Sequence, residues 1–521
     1  MNEKQLTYCN PLVLPDYPLL AAKHPSPRTM PGGGWDREGK TLVSERDLIH
    51  ELYPERPVRK WGPPGARPTF RRLAENDVRS TADPSVMYWE GRWYLYCSGG
   101  YVYDTDDFVN WTPHVDETWL KISTPMAPTV APCRGKFYAT ANSVPLHVAD
   151  SPLGPWTKVG EWLMSDGREM LANDPMIFLD DDGRLYLYWG LGSGIFGAEL
   201  DPEQPNRLLT MPKHLFEFNG LNIWEHFGGR NEDWSDGCME GSWMYKHDGT
   251  YYLTYSVCGT EYYSYCMGAY VCDTPLGDFR LQKRNPVSRS DSGLIRGGGH
   301  GSIVDGPNGT IWCFYTIPVG IDHIFERRIG MDPCGIDADG CLYARTGLDV
   351  PQFAPGVLAH PEDGNSAGLE PCTFFSLTDC SSYAPGHRPM YAFDEVLHTW
   401  WEPAAGDEAP MLAAAFRAEF YISALRIIWK DVGLDFQAGV MPGPYRYVVE
   451  AAETVDSEDW KVIVDASQSD TDLAVDFRTF PEMRAAKARL RILSAPQGIT
   501  PGVISLTVFG VSCARRDVYG K

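Results

Sequence analysis

Three carboxylates and one histidine stand at equivalent places in a pattern that this sequence repeats. Asp83, Asp174, Glu240 and His300 each come just before a short apolar segment, a polar turn with glycine and an aromatic segment. A single Asp before Pro is usually a turn residue. Three acids and a histidine in register across four repeats instead favour a functional pocket, because buried carboxylates are costly unless they are paired or used. Side chains of these types donate and accept protons in acid–base catalysis.

The repeated unit predicts a β-hairpin. Its clearest copy, residues 240–256, has alternating aromatic residues on both sides of the turn His247-Asp248-Gly249, which is typical of two strands joined by a tight turn. Five copies begin near residues 83, 128, 174, 240 and 300. A spacing of about 40–50 residues is typical of four-stranded propeller blades, and the two longer steps indicate insertions. The sequence therefore predicts a five-bladed β-propeller over residues 83–350, with the ionisable residues converging on its axis.

The motifs around these residues resemble glycoside hydrolase family 43. Members of that family carry A-D-P-S, N-D-P, E-G-S/P and G-H-G/N-S stretches in blades one, three, four and five. This chain has Ala82-Asp83-Pro84-Ser85, Asn173-Asp174-Pro175, Glu240-Gly241-Ser242 and Gly299-His300-Gly301-Ser302. As a set over about residues 80–345 the match is specific, although each short motif alone is weak.

The resemblance implies roles for the site residues. It makes Glu240 the general acid and Asp83 the general base, with Asp174 holding Glu240 and raising its pKa. It implies that Arg327 reaches the substrate's hydroxyls, with Arg328 as the alternative. It places His300 at the axis, as a substrate-binding residue beside one calcium ion, although a single histidine is a poor calcium site by itself; the alternative for His300 is a hydrogen bond to an acid.

Two further assignments remain open in the sequence. Asn10-Pro11, Asp16 and Pro18 resemble the family's usual opening, so Asp16 is the alternative to Asp83 as the base, although no hairpin follows it. Trp224 and Trp234, in the insertion directly before Glu240, are candidate sugar-binding platforms, and ordinary loop packing is the alternative for each.

The implied activity is inverting hydrolysis of plant cell-wall oligosaccharides from the chain end, by an α-L-arabinofuranosidase or a β-xylosidase. A galactofuranosidase or another specificity of the family is the alternative. A non-catalytic carbohydrate-binding propeller is a rival, which loss of an acid would favour, but all three are present. Fructan hydrolases are a second rival; they carry an R-D-P stretch, and none occurs here.

Composition limits the partners. The net charge of −23 and the pI near 4.9 argue against nucleic acid as a partner. No run of about 18 apolar residues occurs, so we expect no membrane span. The N-terminus has no apolar core of signal-peptide length. Together with 13 cysteines, an odd number, this predicts reduced thiols and a cytoplasmic location. A homo-oligomer is compatible with the sequence.

Segments on both sides of the propeller complete the predicted organisation. Residues 1–82 are predicted to be an N-terminal extension that packs on the propeller, with residues 19–82 over its mouth or against a partner subunit. Residues 351–365 contain several Pro and Gly residues and are a predicted linker. Residues 366–521 contain strand-like segments and predict a β-sandwich, jelly-roll-like, that resembles the discoidin-like galactose-binding fold, with Glu395 where Gly is usual. Its role is carbohydrate binding or, at least as reasonably, structural support.

Overall fold

The structure is a computed structural model that describes residues 6–17, 40–56, 78–123, 125–192, 194–323, 325–436 and 438–519. Most of the predicted insert, residues 18–39 and 57–77, lies outside the described residues. Before the propeller, strand β1 (Thr7–Tyr8) pairs with a short strand of the predicted linker, and helix α1 (Glu45–Leu52) follows a Ser44 capping box. No helix in the described ranges is long and apolar enough to cross a membrane.

Five antiparallel sheets of four strands confirm the five-bladed β-propeller. In each blade the strands follow one another from the first, axial strand to the outer edge. Blade one has β2 (Ser85–Trp89), β3 (Arg92–Tyr96), β4 (Val102–Thr105) and β5 (Thr112–His114). Helix α2 (Glu117–Ser123) leads to blade two, with β6 (Thr129–Cys133), β7 (Lys136–Thr140), β8 (Leu146–Ala149) and β9 (Thr157–Gly160).

The remaining blades follow the same order. A separate hairpin, β10 (Trp162–Leu163) and β11 (Glu169–Met170), precedes blade three. Blade three has β12 (Met176–Leu179), β13 (Leu185–Trp189), β14 (Ile195–Leu200) and β15 (Lys213–Phe216). Blade four has β16 (Glu240–His247), β17 (Thr250–Val257), β18 (Cys266–Cys272) and β19 (Arg280–Leu281). Blade five has β20 (Gly299–Asp305), β21 (Ile311–Pro318), β22 (Arg327–Ile336) and β23 (Leu342–Ala344).

A β-sandwich follows the propeller, as the sequence predicts. After β24 (Gln352–Phe353), the partner of β1, seven hydrogen-bonded strands enclose a core that includes Trp401, Phe420 and Leu490. The strands are β25 (Glu370–Pro371), β26 (Leu377–Cys380), β27 (Met411–Val432), β28 (Arg446–Ala452), β29 (Lys461–Asp465), β30 (Val475–Ser494) and β31 (Thr500–Ser512), and helix α3 (Cys513–Tyr519) follows. Short 3₁₀ turns lie at Ile223–Glu225, Pro307–Gly309, Pro361–Asp363 and Pro389–Ala392.

Aromatic and branched side chains fill the spaces between neighbouring blades. Between blades one and five, Trp93, Phe108, Trp312 and Phe314 are buried in one cluster. Leu12 of the N-terminal segment joins this cluster, and its backbone N–H donates to the Ile329 carbonyl. The aromatic strands of the repeat thus supply the inter-blade core that closes the ring.

The sandwich is docked on the propeller through a buried interface. Leu397, Ile428 and Ile504 of the sandwich share one apolar cluster with blade residues such as Ile303 and Ile317. This contact is continuous with the core of blades four and five, so burial of apolar surface holds the two domains together.

Buried ion pairs also stabilise the same interface. Arg79, just before blade one, donates to Asp431 (3.0 Å) and Asp472 (2.6 Å) of the sandwich, and its side chain is only 3% exposed. The Asp431 carboxylate also accepts from the Tyr445 hydroxyl. Removing one partner of such a buried pair leaves a buried charge without compensation, which costs about 3–5 kcal/mol.

We therefore expect Asp431→Ala to lower the free energy of unfolding by about 3 kcal/mol, since Arg79 loses a buried partner. The matched control is Asp456→Ala, an exposed aspartate in the same domain, which should change it by less than about 0.5 kcal/mol. Chemical denaturation of both variants measures the difference. Equal stability of the two variants would contradict a structural role for the domain interface.

Candidate active site

Asp83 is held as an ionised carboxylate by Arg327. The guanidinium donates two bonds, from Nη1 to Oδ1 (3.0 Å) and from Nη2 to Oδ2 (3.1 Å), and the Ser98 hydroxyl donates a third. Burial alone would raise the pKa of Asp83, but Arg327, His300 and Ser98 together hold it below its ordinary value. Asp83 is thus available as a proton acceptor over a wide range of pH.

Asp174, which is buried, and Glu240, which is half-buried, lie close together in the same site. Burial raises the pKa of Asp174 well above its ordinary value, and the charges of Glu240 and Asp83 add to this. The pKa of Glu240 is raised to about 7, by burial first and then by Asp83 and Glu261, although the Tyr265 hydroxyl donates to it at 2.6 Å. The pair therefore retains a proton near neutral pH.

His300 lies between the aspartates. Its Nδ1 is 3.6 Å from Asp83 Oδ1 and 3.7 Å from Asp174 Oδ2. Burial lowers the pKa of His300, Asp83 opposes this shift, and Arg327 adds to it. The imidazole is therefore neutral near pH 7 and lies close to both acids. Gly241 packs against this ring: a Cβ there would lie 2.9 Å from His300 Cγ.

The backbone turns before the axial strands present these side chains to the centre. Asp83 (φ 52°), Asp174 (φ 46°) and His300 (φ 33°) all lie in the left-handed region, as does Ala127 (φ 50°) in blade two. In blade four Gly241 (φ 59°) takes this conformation. Such backbone is strained for residues other than glycine and clusters at functional sites, so its recurrence here agrees with a built site at the axis.

These side chains line a cavity of about 190 Å³. Its polar wall contains Asp83, Asp174, Glu240, His300 and Arg327. The remaining lining residues are Met126, Asn142, Leu191, Phe227, Cys238, Gly259, Thr260, Glu261 and Phe325. A concave site with a few convergent charged groups fits a small polar ligand.

The structure does not bring the other sequence candidates into this cavity. Arg328 donates to the backbone carbonyls of Arg79 and Arg327, because neighbouring residues of β22 point to opposite faces. Asp16 is exposed, and its N–H donates to the Asp472 carbonyl, so it belongs to the domain interface.

The tryptophans of the loop before Glu240 also lie outside the cavity lining. Trp224 packs on Tyr255, with ring centroids 6.0 Å apart, and contacts Gly268 inside blade four. Trp234 is 74% exposed. Phe227 is the aromatic residue of this loop that reaches the cavity wall. The geometry favours the packing alternative for Trp224.

Sequence patterns did not identify several residues that tune the acids. Ser98, Thr260, Glu261 and Tyr265 come from strand ends and loops outside the repeated motif. Tyr265 directly precedes β18, the third strand of the blade-four sheet that Glu240 begins. No residue type or spacing in the repeated motif indicates that its hydroxyl reaches Glu240.

The side chains alone do not make a calcium site. Asp174, Glu240 and His300 each place a possible ligand atom within 4.8 Å of the others. Calcium takes six to eight oxygen ligands, whereas this group supplies two carboxyl groups and a nitrogen, and both carboxyl pKa values are raised. The calcium ion expected near His300 stays a prediction.

Comparison with known families covers the propeller. A family model described as glycosyl hydrolases family 43 matches residues 78–342. This chain belongs to glycosyl hydrolase family 43. The match includes Asp83, Asp174, Glu240, His300 and Arg327, so all five residues of the polar wall lie inside the family domain.

The curated proteins that this chain matches are distant in sequence. An arabinoxylan arabinofuranohydrolase of Bacillus subtilis (strain 168) is 27% identical over 248 residues, covering 38% of this chain and 46% of that protein. A xylosidase/arabinosidase 43A of Humicola insolens is 26% identical over 329 residues, covering 50% of this chain and 95% of the relative. A solved structure of a thermostable family-43 glycoside hydrolase has a TM-score of 0.45 at 25% identity, covering 53% of this chain and 96% of that one. The first relatives are matched over about half their length.

The pKa values predict how activity depends on pH. If Glu240 must be protonated and Asp83 ionised, kcat/KM should fall as the pH rises through about 7, and on the acidic side it should persist to below the ordinary pKa of an aspartate. Glu261→Gln removes a charge that raises the pKa of Glu240. The alkaline limb should therefore move to lower pH in that variant, and an unmoved limb would contradict the assignment of Glu240.

Proposed function

We propose that this family-43 protein is a glycoside hydrolase that inverts the anomeric configuration. The observation that carries the proposal is a carboxyl group, Glu240, whose pKa of about 7 keeps it protonated, in the same cavity as the ionised carboxylate of Asp83. Inverting hydrolysis needs such a pair: one acid for the leaving oxygen and one base for water.

Each side chain has a part in the reaction. Glu240 protonates the glycosidic oxygen as the bond breaks, and Asp83 removes a proton from the attacking water. Asp174 lies beside Glu240, and its own raised pKa keeps a second charge away from the acid at neutral pH. Neutral His300 fills the space between the two aspartates without adding a charge, with Nδ1 within 3.7 Å of a carboxylate oxygen of each.

Arg327 serves the base and the substrate. Its two bonds to Asp83 keep the carboxylate ionised and oriented, and Nη1 also bonds the Thr260 hydroxyl at 3.1 Å. The guanidinium lines the cavity, so a sugar hydroxyl can meet it there. Arg327 is thus first a partner of Asp83, and the substrate contact that the family resemblance implies comes in addition.

The substrate we propose is the terminal sugar of an arabinose- or xylose-containing oligosaccharide. Relatives named for arabinoxylan arabinofuranohydrolase, xylosidase/arabinosidase and beta-xylosidase activity support this class. The small cavity volume, about 190 Å³, favours one sugar residue over a polymer chain. A beta-D-galactofuranosidase of Aspergillus niger at 26% identity over 258 residues supports galactofuranoside as the second candidate sugar.

Other expectations from the sequence stay predictions. They are a cytoplasmic location, assembly into a homo-oligomer, the absence of nucleic-acid and membrane partners, and a calcium ion near His300.

Side-by-side assays with nitrophenyl α-L-arabinofuranoside, β-D-xyloside and β-D-galactofuranoside identify the sugar. Loss of all turnover in Asp83→Asn supports the proposal, and a wild-type chain inactive on every glycoside would favour a binding propeller.

Glu240→Gln should distinguish substrates by their leaving group. A nitrophenolate leaves with little protonation, whereas a sugar alkoxide needs the acid. We therefore expect a loss of about 10²–10⁴-fold in kcat on an oligosaccharide and a much smaller loss on the nitrophenyl substrate. Steady-state kinetics on both substrates measure this ratio. Equal losses would show that Glu240 is not the acid.

The inverting mechanism predicts the configuration of the first product. Asp83, which is bonded to Arg327, activates water in this mechanism, so no covalent glycosyl-enzyme forms. The released sugar should therefore have the anomeric configuration opposite to the substrate's. Proton NMR in the first minutes, before mutarotation, records it. Retained configuration, or transfer of the glycosyl group to added methanol, would instead make Asp83 a nucleophile.

A further inference from the structure

The carboxylate of Glu45, in the N-terminal extension, accepts two hydrogen bonds from Asn173, the residue directly before Asp174. Glu45 Oε1 accepts from the Asn173 backbone N–H at 3.0 Å, and Glu45 Oε2 accepts from the Asn173 side-chain amide at 2.8 Å. The Glu45 side chain is buried, with 3% exposure. A buried carboxylate that accepts two bonds from one residue fixes that residue in position and in orientation.

The extension reaches this place through backbone pairing. The Val43 N–H donates to the Glu169 carbonyl, and the Leu171 N–H donates to the Val43 carbonyl, both at 2.9 Å. Helix α1 then begins at Glu45, after the Ser44 cap. The carboxylate therefore lies in the first turn of α1, where the helix dipole and free N–H groups favour a negative charge.

Asn173 is held on its other sides by blades two and three. Its side-chain oxygen accepts from the Ser143 hydroxyl at 2.5 Å, and its carbonyl accepts from the Gly190 N–H at 2.9 Å. The next residue, Asp174, has the strained left-handed φ of 46°. A strained turn persists only where the surroundings over-determine it, and Glu45 supplies two of the four hydrogen bonds at its first residue.

From this geometry we infer that Glu45 is a positioning residue: through Asn173 it fixes Asp174, the carboxyl group that lies beside Glu240. This rests on the proposed hydrolase function. The N-terminal extension then contributes to catalysis, because Glu45, which lies between Asp16 and Asp83 in the sequence, holds Asp174 in place beside Glu240.

Loss of Glu45 would leave two buried donors of Asn173 without acceptors, which loosens the turn. A displacement of about 1 Å in a catalytic group can reduce the rate about 10²-fold. The effect should fall on proton donation, so we expect it in kcat rather than in KM, and more strongly for a poor leaving group than for a nitrophenolate.

The test compares full-length wild type with Glu45→Ala, Glu45→Gln and Glu51→Ala. Glu51 is the matched control, because it lies on the same helix but is exposed and pairs with Arg168 at 2.6 Å. For Glu45→Ala we expect kcat on an oligosaccharide to fall about 10–100-fold with KM within about threefold. The loss on the nitrophenyl glycoside should be under about threefold. Glu45→Gln keeps one acceptor oxygen and should be intermediate, and Glu51→Ala should match wild type.

Amide hydrogen exchange provides a second readout that does not depend on turnover. The peptide that contains Asn173 should exchange at least about tenfold faster in Glu45→Ala than in wild type, by an intermediate factor in Glu45→Gln, and at the wild-type rate in Glu51→Ala. Unchanged exchange, or equal fractional losses on both substrates, would overturn the inference. A wild-type chain inactive on all glycosides would instead overturn the proposed function, and the exchange result would still decide whether Glu45 positions the turn.

Discussion

The arrangement at the axis depends on one guanidinium among buried carboxylates. In the described part of the cavity wall, Arg327 is the side chain with a permanent positive charge, and it is bonded to Asp83 on two oxygens. The guanidinium is bonded to Asp83 alone among these acids, so its charge lowers the pKa values of Asp174 and Glu240 by less than burial raises them. The division into an ionised and a protonated side follows from this single pairing.

The repeat made much of this visible in the sequence. Equivalent positions in a propeller meet at the axis, so Asp83, Asp174, Glu240 and His300 could be placed together without any contact being known. Choosing between Arg327 and Arg328 required knowing which of the two side chains β22 turns toward the cavity. Deciding that Trp224 packs inside blade four required the path of its loop in the structure. Neither is encoded in a motif.

Partners that are distant in sequence were beyond such reasoning. Glu45 reaches Asn173 across 128 residues, and Arg79 reaches Asp431 across 352. Contacts of this kind depend on how segments outside the repeat pack on it. Glu45 and Arg79 both lie in the N-terminal extension, residues 1–82, which the repeated pattern does not cover.

Blade two differs from the others at the axis. It has Ala127 where the other blades present Asp83, Asp174, Glu240 and His300, and the thioether of Met126 lines the cavity on that side. The ring therefore has ionisable groups over four sectors, whereas blade two contributes the thioether of Met126 and the uncharged amide of Asn142. For the proposed sugar substrate, which has a hydroxyl-bearing side and a C–H side, this asymmetry favours the orientation that places the C–H side against Met126.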